Sequence, residues 1–180
     1  MLPDEVDVIA LQDGSLLTVY RVSSPGPYFQ SRSVDGGKTW SAPVAMPGSH
    51  SVDPALEVVT VDGKEVVLLS GGRPGLFMHA SLDNGHTWST SNILANHNAR
   101  IPASTPELRY PDWAVDILSS QQSETDDGTS GYTSLVAVDA GGGAIVCYDK
   151  MSSVTQDRVF CMRVKVDIVE TAALTTAESI

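Results

Sequence analysis

The sequence predicts an all-β protein that forms part of a β-propeller, with about three to four blades in the chain. A motif of eight residues occurs twice, with its aspartates, Asp35 and Asp83, 48 residues apart. A strand–turn–strand pattern precedes each copy, and a sheet unit that repeats at this interval has the period of a propeller blade. About three and a half such units fit into the chain, whereas propellers usually close with roughly four to eight blades. The chain is therefore predicted to be a piece of a propeller.

The strands are marked by apolar stretches on either side of Asp-Gly pairs or glycine runs, which are hairpin signals. Glycine suits these turns because it adopts a positive φ without steric cost. The predicted strands are residues 6–11 and 16–22 around Asp13-Gly14, 56–61 and 65–70 around Asp62-Gly63, 134–138 and 144–148 around glycines 141–143, and a last strand over 159–166. These hairpins account for most of the chain.

The length of each turn also predicts which residues face each other across a hairpin. A two-residue first turn pairs Glu5 with Val22, beside Arg21. In the third hairpin, the same reasoning places Ser134 near Asp149.

The two repeated motifs, residues 33–40 (Ser-Val-Asp-Gly-Gly-Lys-Thr-Trp) and 81–88 (Ser-Leu-Asp-Asn-Gly-His-Thr-Trp), are interpreted first as structural turns. An aspartate in a tight turn accepts hydrogen bonds from backbone N–H groups, and the threonine and tryptophan can fix the turn to the sheet. The aspartates and tryptophans of both copies are therefore expected to be architectural rather than catalytic.

No segment shows the periodicity of a long amphipathic helix. Residues 169–177 suit either a short frayed helix or a disordered tail, residues 96–98 read as a loop, and residues 123–130 read as an acidic, solvated insertion. We therefore divide the chain into a propeller segment, residues 1–168, and a C-terminal tail, residues 169–180.

Composition narrows the classes of function. Eleven lysine and arginine residues against 22 aspartate and glutamate residues give a net charge of −11, which argues against nucleic acid or an anionic membrane as the main partner. No apolar run approaches the roughly 18 residues that a membrane-spanning helix needs. Charged residues make up only 18%, and the 15 glycines and 10 prolines favour short strands and turns.

The two cysteines exclude a disulfide framework and a four-thiolate zinc site. A hairpin over residues 151–157 would bring Cys147 and Cys161 face to face. A cross-strand disulfide is one interpretation, and two buried thiols are the interpretation we favour. The N-terminus lacks the basic and apolar regions of a signal peptide, so we expect either a cytoplasmic protein or a natural beginning further upstream.

Five polar side chains are predicted at the strand ends opposite the turns, where adjacent blades meet around the axis: Glu5, Arg21, Arg73, Tyr132 and Asp149. A central binding site needs such a set from several blades. Two arginines present planar, permanently charged groups to a carboxylate, and a glutamate can take a proton from a tyrosine. The alternative is that the arginines form ordinary salt bridges with the two carboxylates while the tyrosine packs.

At these positions the sequence resembles the exo-sialidase (neuraminidase) family, six-bladed propellers with Asp-box repeats. The similar segments are Glu5-x-x-Val8 leading into Asp13-Gly-Ser-Leu-Leu-Thr-Val-Tyr-Arg21, then Gly72-Arg73-Pro74, Gly131-Tyr132-Thr-Ser-Leu135 and Val146-Cys-Tyr-Asp149. The likeness runs over residues 3–166 and corresponds only to the family's C-terminal half. The resemblance implies a partial six-bladed propeller and a retaining exo-α-sialidase, which removes terminal sialic acid from glycoproteins, glycolipids and oligosaccharides.

The resemblance also implies roles for the five side chains. Tyr132 matches the catalytic nucleophile, and Glu5 matches the carboxylate that activates it. Arg21 and Arg73 match the second and third arginines that bind the substrate carboxylate. Asp149 stands where the family usually has a glutamate that orients the first arginine. No cofactor is implied, and the four histidines show no metal-ligand spacing.

The first arginine of that triad and the aspartate that serves as acid and base have no counterpart, because the family carries them in its N-terminal half. We therefore expect a missing N-terminal half or an oligomer partner that completes the ring. Two alternatives stay open: a non-catalytic Asp-box propeller that acts as a binding module, and a related propeller glycosidase for another acidic sugar.

Overall fold

Three antiparallel sheets follow one another along the chain, in a computed structural model that describes residues 4–22, 26–50, 52–118, 129–139, 141–151 and 158–168. The first sheet comprises β1 (Val6–Ala10), β2 (Leu16–Arg21), β3 (Pro27–Ser33) and β4 (Val44–His50). The second comprises β5 (Ala55–Val61), β6 (Lys64–Gly71), β7 (Phe77–Ser81) and β8 (Ser89–Asn92). The third comprises β9 (Thr133–Ala137), β10 (Gly143–Lys150) and β11 (Arg158–Lys165). The sheets are successive blades of a partial β-propeller, as predicted.

The first strand of each sheet lies at an edge, and β5 lies between β1 and β9. Side-chain carboxylates join these edges. The Leu56 amide of β5 donates to Asp7 Oδ2 of β1 at 2.7 Å, and the Ala137 amide of β9 donates to Glu57 Oε2 of β5 at 3.1 Å. Each carboxylate thus satisfies an amide that a sheet edge would leave unpaired. This pairing aligns the innermost strands around one axis.

The middle hairpin has the predicted two-residue turn. Val61 pairs with Lys64, and both Asp62 and Gly63 have positive φ, of 50° and 76°. Positive φ at both central residues is what a type I′ turn requires, and it matches the right-handed twist of the strands.

The register of the other two hairpins differs from the prediction. The first turn has three residues, because the Leu11 amide donates to the Ser15 carbonyl at 2.9 Å and extends the ladder. Glu5 therefore lies opposite Arg21, and the prediction that it faces Val22 is wrong. In the third hairpin the predicted neighbourhood is also wrong, since Ser134 pairs with Cys147, two residues short of Asp149.

Two short helices that the sequence did not predict lie between the second and third sheets. These are α1 (Leu94–Arg100) and α2 (Asp112–Asp116), with a 3₁₀ turn at Pro106–Leu108 between them. The predicted loop at residues 96–98 is part of α1. Its buried face consists of Leu94, His97 and Asn98, so the spacing is helical although only one of the three is apolar. Hydrogen bonds, rather than apolar periodicity, allow that face to be buried.

Apolar clusters fill the spaces between sheets. Leu17, Val19 and Tyr28 of the first sheet pack against Leu56 and Leu69 of the second. A second cluster joins the second and third sheets, and a third joins the two helices to β10 and β11. Each fully buried aliphatic side chain contributes about 1.5–3 kcal/mol relative to an exposed one. The core is therefore inter-blade, and it fixes the blades relative to one another.

Cys147 and Cys161 are joined by a disulfide, so the expectation of two buried thiols is wrong. The two residues pair directly across β10 and β11, with their Cα atoms 4.0 Å apart. Cys161 is exposed and Cys147 is half-buried, so neither lies in an apolar interior.

Both repeated motifs are compact turns organised by their aspartates. Asp35 accepts hydrogen bonds from the backbone amide and hydroxyl of Thr39 and from the Ser33 hydroxyl. Asp83 has the same partners in Thr87 and Ser81. The hydrogen bonds from Thr39 lower the pKa of Asp35 to about 2. Burial raises the pKa of Asp83, but the hydrogen bonds from Thr87 outweigh it and lower that pKa to about 2.

These pKa values predict acid sensitivity of the fold. Because each pKa is lower in the folded protein than its ordinary value of 3.8, the two carboxylates stabilise the fold above that pH, and their contribution is lost as the pH falls through about 2. As the pH falls from 3.8 to about 2, we expect the free energy of unfolding to decrease less in the double variant Asp35→Asn/Asp83→Asn than in the parent. Denaturant unfolding at stepped pH measures it, and Asp116→Asn, which removes an exposed charge outside both motifs, is the control. An equal decrease of the free energy of unfolding in the parent, the double variant and the Asp116→Asn control would contradict the prediction.

Candidate functional site

The predicted site residues lie at the strand ends opposite the hairpin turns. Glu5 precedes β1, Arg21 ends β2, Arg73 follows β6, Tyr132 precedes β9, and Asp149 is near the end of β10. The three sheets thus each contribute at least one of them to the same end of the blades.

Glu5 and Arg21 form an ion pair at the end of the first sheet. Arg21 Nη2 lies 2.8 Å from Glu5 Oε1 and 2.7 Å from Asp4 Oδ2. Directly opposed residues in an antiparallel pair project from the same face, so the three-residue first turn is what allows this contact. Arg21 is 8% exposed, and its Nη1 group makes no hydrogen bond with the described residues.

Asp53, a residue not predicted from the sequence, connects Glu5 to the strand that follows Tyr132. Its backbone amide donates to Glu5 Oε2 at 2.6 Å, and its Oδ2 accepts from the Thr133 amide at 3.3 Å. Burial, then the nearby charge of Glu5, raises the pKa of Asp53. The signal was present in the sequence, because Asp53 follows Glu5 by the same 48 residues that separate the two motifs.

Arg73 and Tyr132 are brought together by two loops in backbone contact. The Arg73 amide donates to the Ser130 carbonyl at 2.7 Å, and a Cβ atom at Gly72 would collide with the carbonyl group of Gly131. Glycine is therefore required where the loops cross. The guanidinium carbon of Arg73 lies 5.9 Å from the centre of the Tyr132 ring, within the range of a cation–π contact. Tyr132 is 55% exposed.

Asp149 contacts the loop that carries Tyr132. Its Oδ1 accepts from the Gly131 amide at 2.5 Å, and its backbone carbonyl accepts from the Tyr110 hydroxyl at 2.8 Å. A Cβ atom at Gly131 would lie 2.7 Å from both carboxylate oxygens, so this glycine too is needed for the approach. The role expected for Asp149, orienting a further arginine, stays a prediction.

The hydrogen bonds of the described residues do not link Glu5 directly to Tyr132. Glu5 instead accepts from the Asp53 amide, and Asp53 accepts from the amide of Thr133, the residue that follows Tyr132. The alternative interpretation, in which the arginines form ordinary salt bridges while the tyrosine packs, agrees with Arg21, which pairs with Glu5. The alternative does not agree with Asp149, whose carboxylate accepts a hydrogen bond from the Gly131 amide, or with Tyr132, which is exposed. The arrangement therefore combines a cationic group, an exposed phenol and a half-buried carboxylate at one end of the blades.

Other residues fall into structural positions or outside the described ranges. His97 is buried in α1, where its ring meets the Tyr148 hydroxyl at 2.7 Å and the Leu108 carbonyl at 2.9 Å. Trp113 lies on α2 and is 39% exposed. Most of the acidic insertion and the entire C-terminal tail lie outside the described residues.

Within the described ranges, no group of three or more histidine, cysteine, aspartate or glutamate residues is arranged to hold a metal ion. No helix in the described ranges is long and apolar enough to cross a membrane.

The sequence matches the family described as BNR repeat-like domain over residues 4–139. No curated protein matches the chain. Among solved structures, the chain is similar to the intramolecular trans-sialidase from Ruminococcus gnavus in complex with oseltamivir carboxylate, with 21% identity and a TM-score of 0.56. That match covers 89% of this chain and 32% of the other.

Two further sialidase structures are similar. NanB sialidase from Streptococcus pneumoniae has 19% identity and a TM-score of 0.54, over 83% of this chain and 20% of that one. The Hadza microbial sialidase Hz136 has 21% identity and a TM-score of 0.55, over 91% of this chain and 28% of that one. The predicted sialidase-type propeller fold is thus confirmed, and the chain spans about a third or less of the length of these structures.

Proposed function

Because the chain belongs to the family of BNR repeat-like domains, we propose that it forms the nucleophile-bearing part of an exo-α-sialidase that acts on terminal sialic acid of glycoconjugates. The observation that carries the proposal is the joint position of Glu5, Arg21, Arg73 and Tyr132 at one end of three successive blades. A non-catalytic module would need the repeated turns but not this set of side chains.

The substrate class follows from the charge of the two arginines. In a chain of net charge −11, Arg21 and Arg73 provide cationic groups at the axis. Guanidinium groups bind carboxylates through paired, charge-assisted hydrogen bonds, and sialic acid carries a carboxylate on its anomeric carbon. The Nη1 group of Arg21, which lacks a described partner, offers donors for this purpose.

The same carboxylate explains a tyrosine nucleophile. An anionic carboxylate nucleophile would be repelled by the substrate's own charge, whereas a phenol approaches as a neutral group. In the proposed step, the Tyr132 oxygen forms a bond to the anomeric carbon as the glycosidic C–O bond breaks. The phenolic proton passes to Glu5, and the leaving-group oxygen takes a proton from the acid expected in the family's N-terminal half. Water or a hydroxyl of the sugar then releases the covalent intermediate.

Glu5 must be released from a present partner to accept the phenolic proton, because its oxygens are held by Arg21 and by the Asp53 amide. A substrate carboxylate at Arg21 competes for that guanidinium and would release Oε1. Binding of the carboxylate and activation of the nucleophile are thereby coupled through Arg21.

A test of the substrate-binding part uses Arg73→Lys in the protein expressed from the complete gene. Lysine keeps the positive charge but loses the planar pair of donors, so we expect KM for a synthetic α-sialoside to rise about tenfold or more. Release of a fluorescent aglycone measures it. The matched control is Arg163→Lys, an exposed arginine on β11 paired with Asp139, which should leave KM unchanged.

The two alternatives predict other results. A binding module would show no turnover of any sialoside while retaining sialoglycan affinity. A glycosidase for another acidic sugar would release the aglycone from a uronide or a related acid and not from the sialoside. Turnover of the sialoside with unchanged KM in both variants would remove Arg73 from the proposed site.

A further inference from the structure

A cleft separates the outer parts of the first two blades, away from the residues proposed for catalysis. It encloses about 220 Å³ and is called the inter-blade cleft below. One wall comes from β3 and β4, and the other from β7, β8 and the end of the second repeated motif. Its lining includes Gln30, Val44, Met46, His79, Trp88 and Thr90. Nothing in the proposed function employs them.

The wall formed by the second blade presents an unsatisfied histidine nitrogen. His79 is 1% exposed, and its Nδ1 meets the Thr90 hydroxyl at 2.7 Å. Its Nε2 is buried and has no hydrogen-bond partner among the described residues. Burial lowers the pKa of His79 to about 4, so the ring is neutral at neutral pH. A neutral imidazole can present either a donor or an acceptor at Nε2.

The wall formed by the first blade presents an unsatisfied amide oxygen. Gln30 Oε1 is buried without a hydrogen-bond partner among the described residues. Trp88 Nε1 on the second wall is also buried without a partner among the described residues. A buried polar atom without a partner is costly, and three such atoms on residues that line one cavity indicate that something polar occupies it. Gln30 and His79 lie on different blades, so an occupant that satisfies both must bridge the cleft.

The remaining lining suits a neutral ligand with an apolar face. Val44 and Met46 line the first wall, and the indole of Trp88 lines the second. The described lining residues include no aspartate, glutamate, lysine or arginine. An anion such as sialic acid would find no lysine or arginine among the described lining residues, which distinguishes the cleft from the end of the blades where the arginines lie.

Size favours a small organic ligand over a single water molecule. The cleft has the volume of about seven water molecules in the liquid, yet it is smaller than the roughly 300–1,000 Å³ of sites for drug-sized ligands. Hydroxyl groups both donate and accept, so they match a neutral imidazole and an amide oxygen at once. The pyranose ring of a sugar combines such hydroxyls with an apolar C–H face that can lie on an indole.

We propose that the inter-blade cleft is a second carbohydrate site, which binds one neutral sugar residue between Gln30 and His79 with its apolar face on Trp88. This goes beyond the proposed function and does not depend on it. The site gives the protein a means of holding the uncharged part of a glycan at a distance from the catalytic end of the blades.

The test titrates the protein from the complete gene, labelled with fluorotryptophan, with methyl β-galactoside and separately with methyl α-glucoside. Fluorine NMR follows Trp88, whose signal is assigned with Trp88→Phe. We expect the Trp88 signal to shift on addition of a neutral glycoside, while those of Trp40 and Trp113 stay in place. Gln30→Met should weaken binding about tenfold, because it removes one hydrogen-bond partner at nearly constant volume. Ala45→Leu, at an exposed position on the rim, should block entry.

Two control variants distinguish the inter-blade cleft from the proposed catalytic site. Gln12→Met changes an exposed glutamine on the first hairpin and should leave the affinity unchanged. Arg73→Lys should also leave it unchanged, so failure of the proposed catalytic site would not mimic failure of this one. The proposal is overturned if the Trp88 signal does not respond to either glycoside, in which case water alone fills the cleft. It is also overturned if Gln30→Met binds as tightly as the parent, or if sialic acid shifts the Trp88 signal more strongly than the neutral glycosides.

Discussion

Replacing Tyr132 by phenylalanine in the protein from the complete gene is expected to lower kcat for an α-sialoside by about three orders of magnitude or more, because it removes the proposed nucleophilic oxygen. The fold should be unaffected. Tyr132 is 55% exposed, and its hydroxyl makes no hydrogen bond with the described residues, so no packing or buried partner is lost. Aglycone release measures the rate, and denaturant unfolding measures the stability.

Tyr20→Phe is the matched control. It also removes a phenolic hydroxyl, one residue before Arg21, and neighbouring residues of a strand project to opposite faces. The Tyr20 hydroxyl contacts the Ser31 hydroxyl at 3.1 Å, so a small loss of stability with normal turnover is expected. Turnover by Tyr132→Phe at the parent rate would overturn the assignment of the nucleophile, and with it the proposed mechanism.

Removing the disulfide is expected to have the largest effect on stability. Cys147 and Cys161 are 14 residues apart in sequence, and closing a loop of that size is worth about 3 kcal/mol. For a chain of this length, that loss lowers Tm by about 6–12 °C. The double variant Cys147→Ser/Cys161→Ser, compared with the parent by thermal unfolding, measures it.

The reductant provides the control for this prediction. A reducing agent should destabilise the parent to the level of the double variant and leave the variant itself unchanged. If the parent unfolds at the same temperature with and without reductant, and two thiols titrate in the denatured protein, the cysteines are unpaired. That result would restore the interpretation first favoured from the sequence.

The fold and much of the candidate site could be predicted because their signals are local. The repeated motifs identify themselves by residue type and spacing, and Asp62-Gly63 specifies its turn because both positions must adopt a positive φ. The apolar stretches on either side of the turns then locate the strands. From these alone, Glu5, Arg21, Arg73 and Tyr132 could be assigned to the same end of the blades.

Register was harder to predict, since it depends on how a turn closes. The first turn contains the same Asp-Gly pair as the second, yet Leu11 and Ser15 extend the ladder and leave three residues in the loop. The shift of one residue moves Glu5 from beside Arg21 to directly opposite it, and this makes their ion pair. Helix α1 escaped prediction for a related reason, because His97 and Asn98 occupy its buried face through hydrogen bonds with distant groups.

The sequence by itself determined the blade period, the two aspartate-centred turns and the strand ends that carry the charged groups. All of these depend on residues close together in the chain. The tertiary structure alone decided the links between blades: Asp53 between Glu5 and Thr133, the crossing of Gly72 and Gly131, and the unsatisfied atoms on residues of two blades that line the inter-blade cleft. These contacts join residues tens of positions apart, and their geometry is fixed only when the apolar faces of neighbouring sheets pack together.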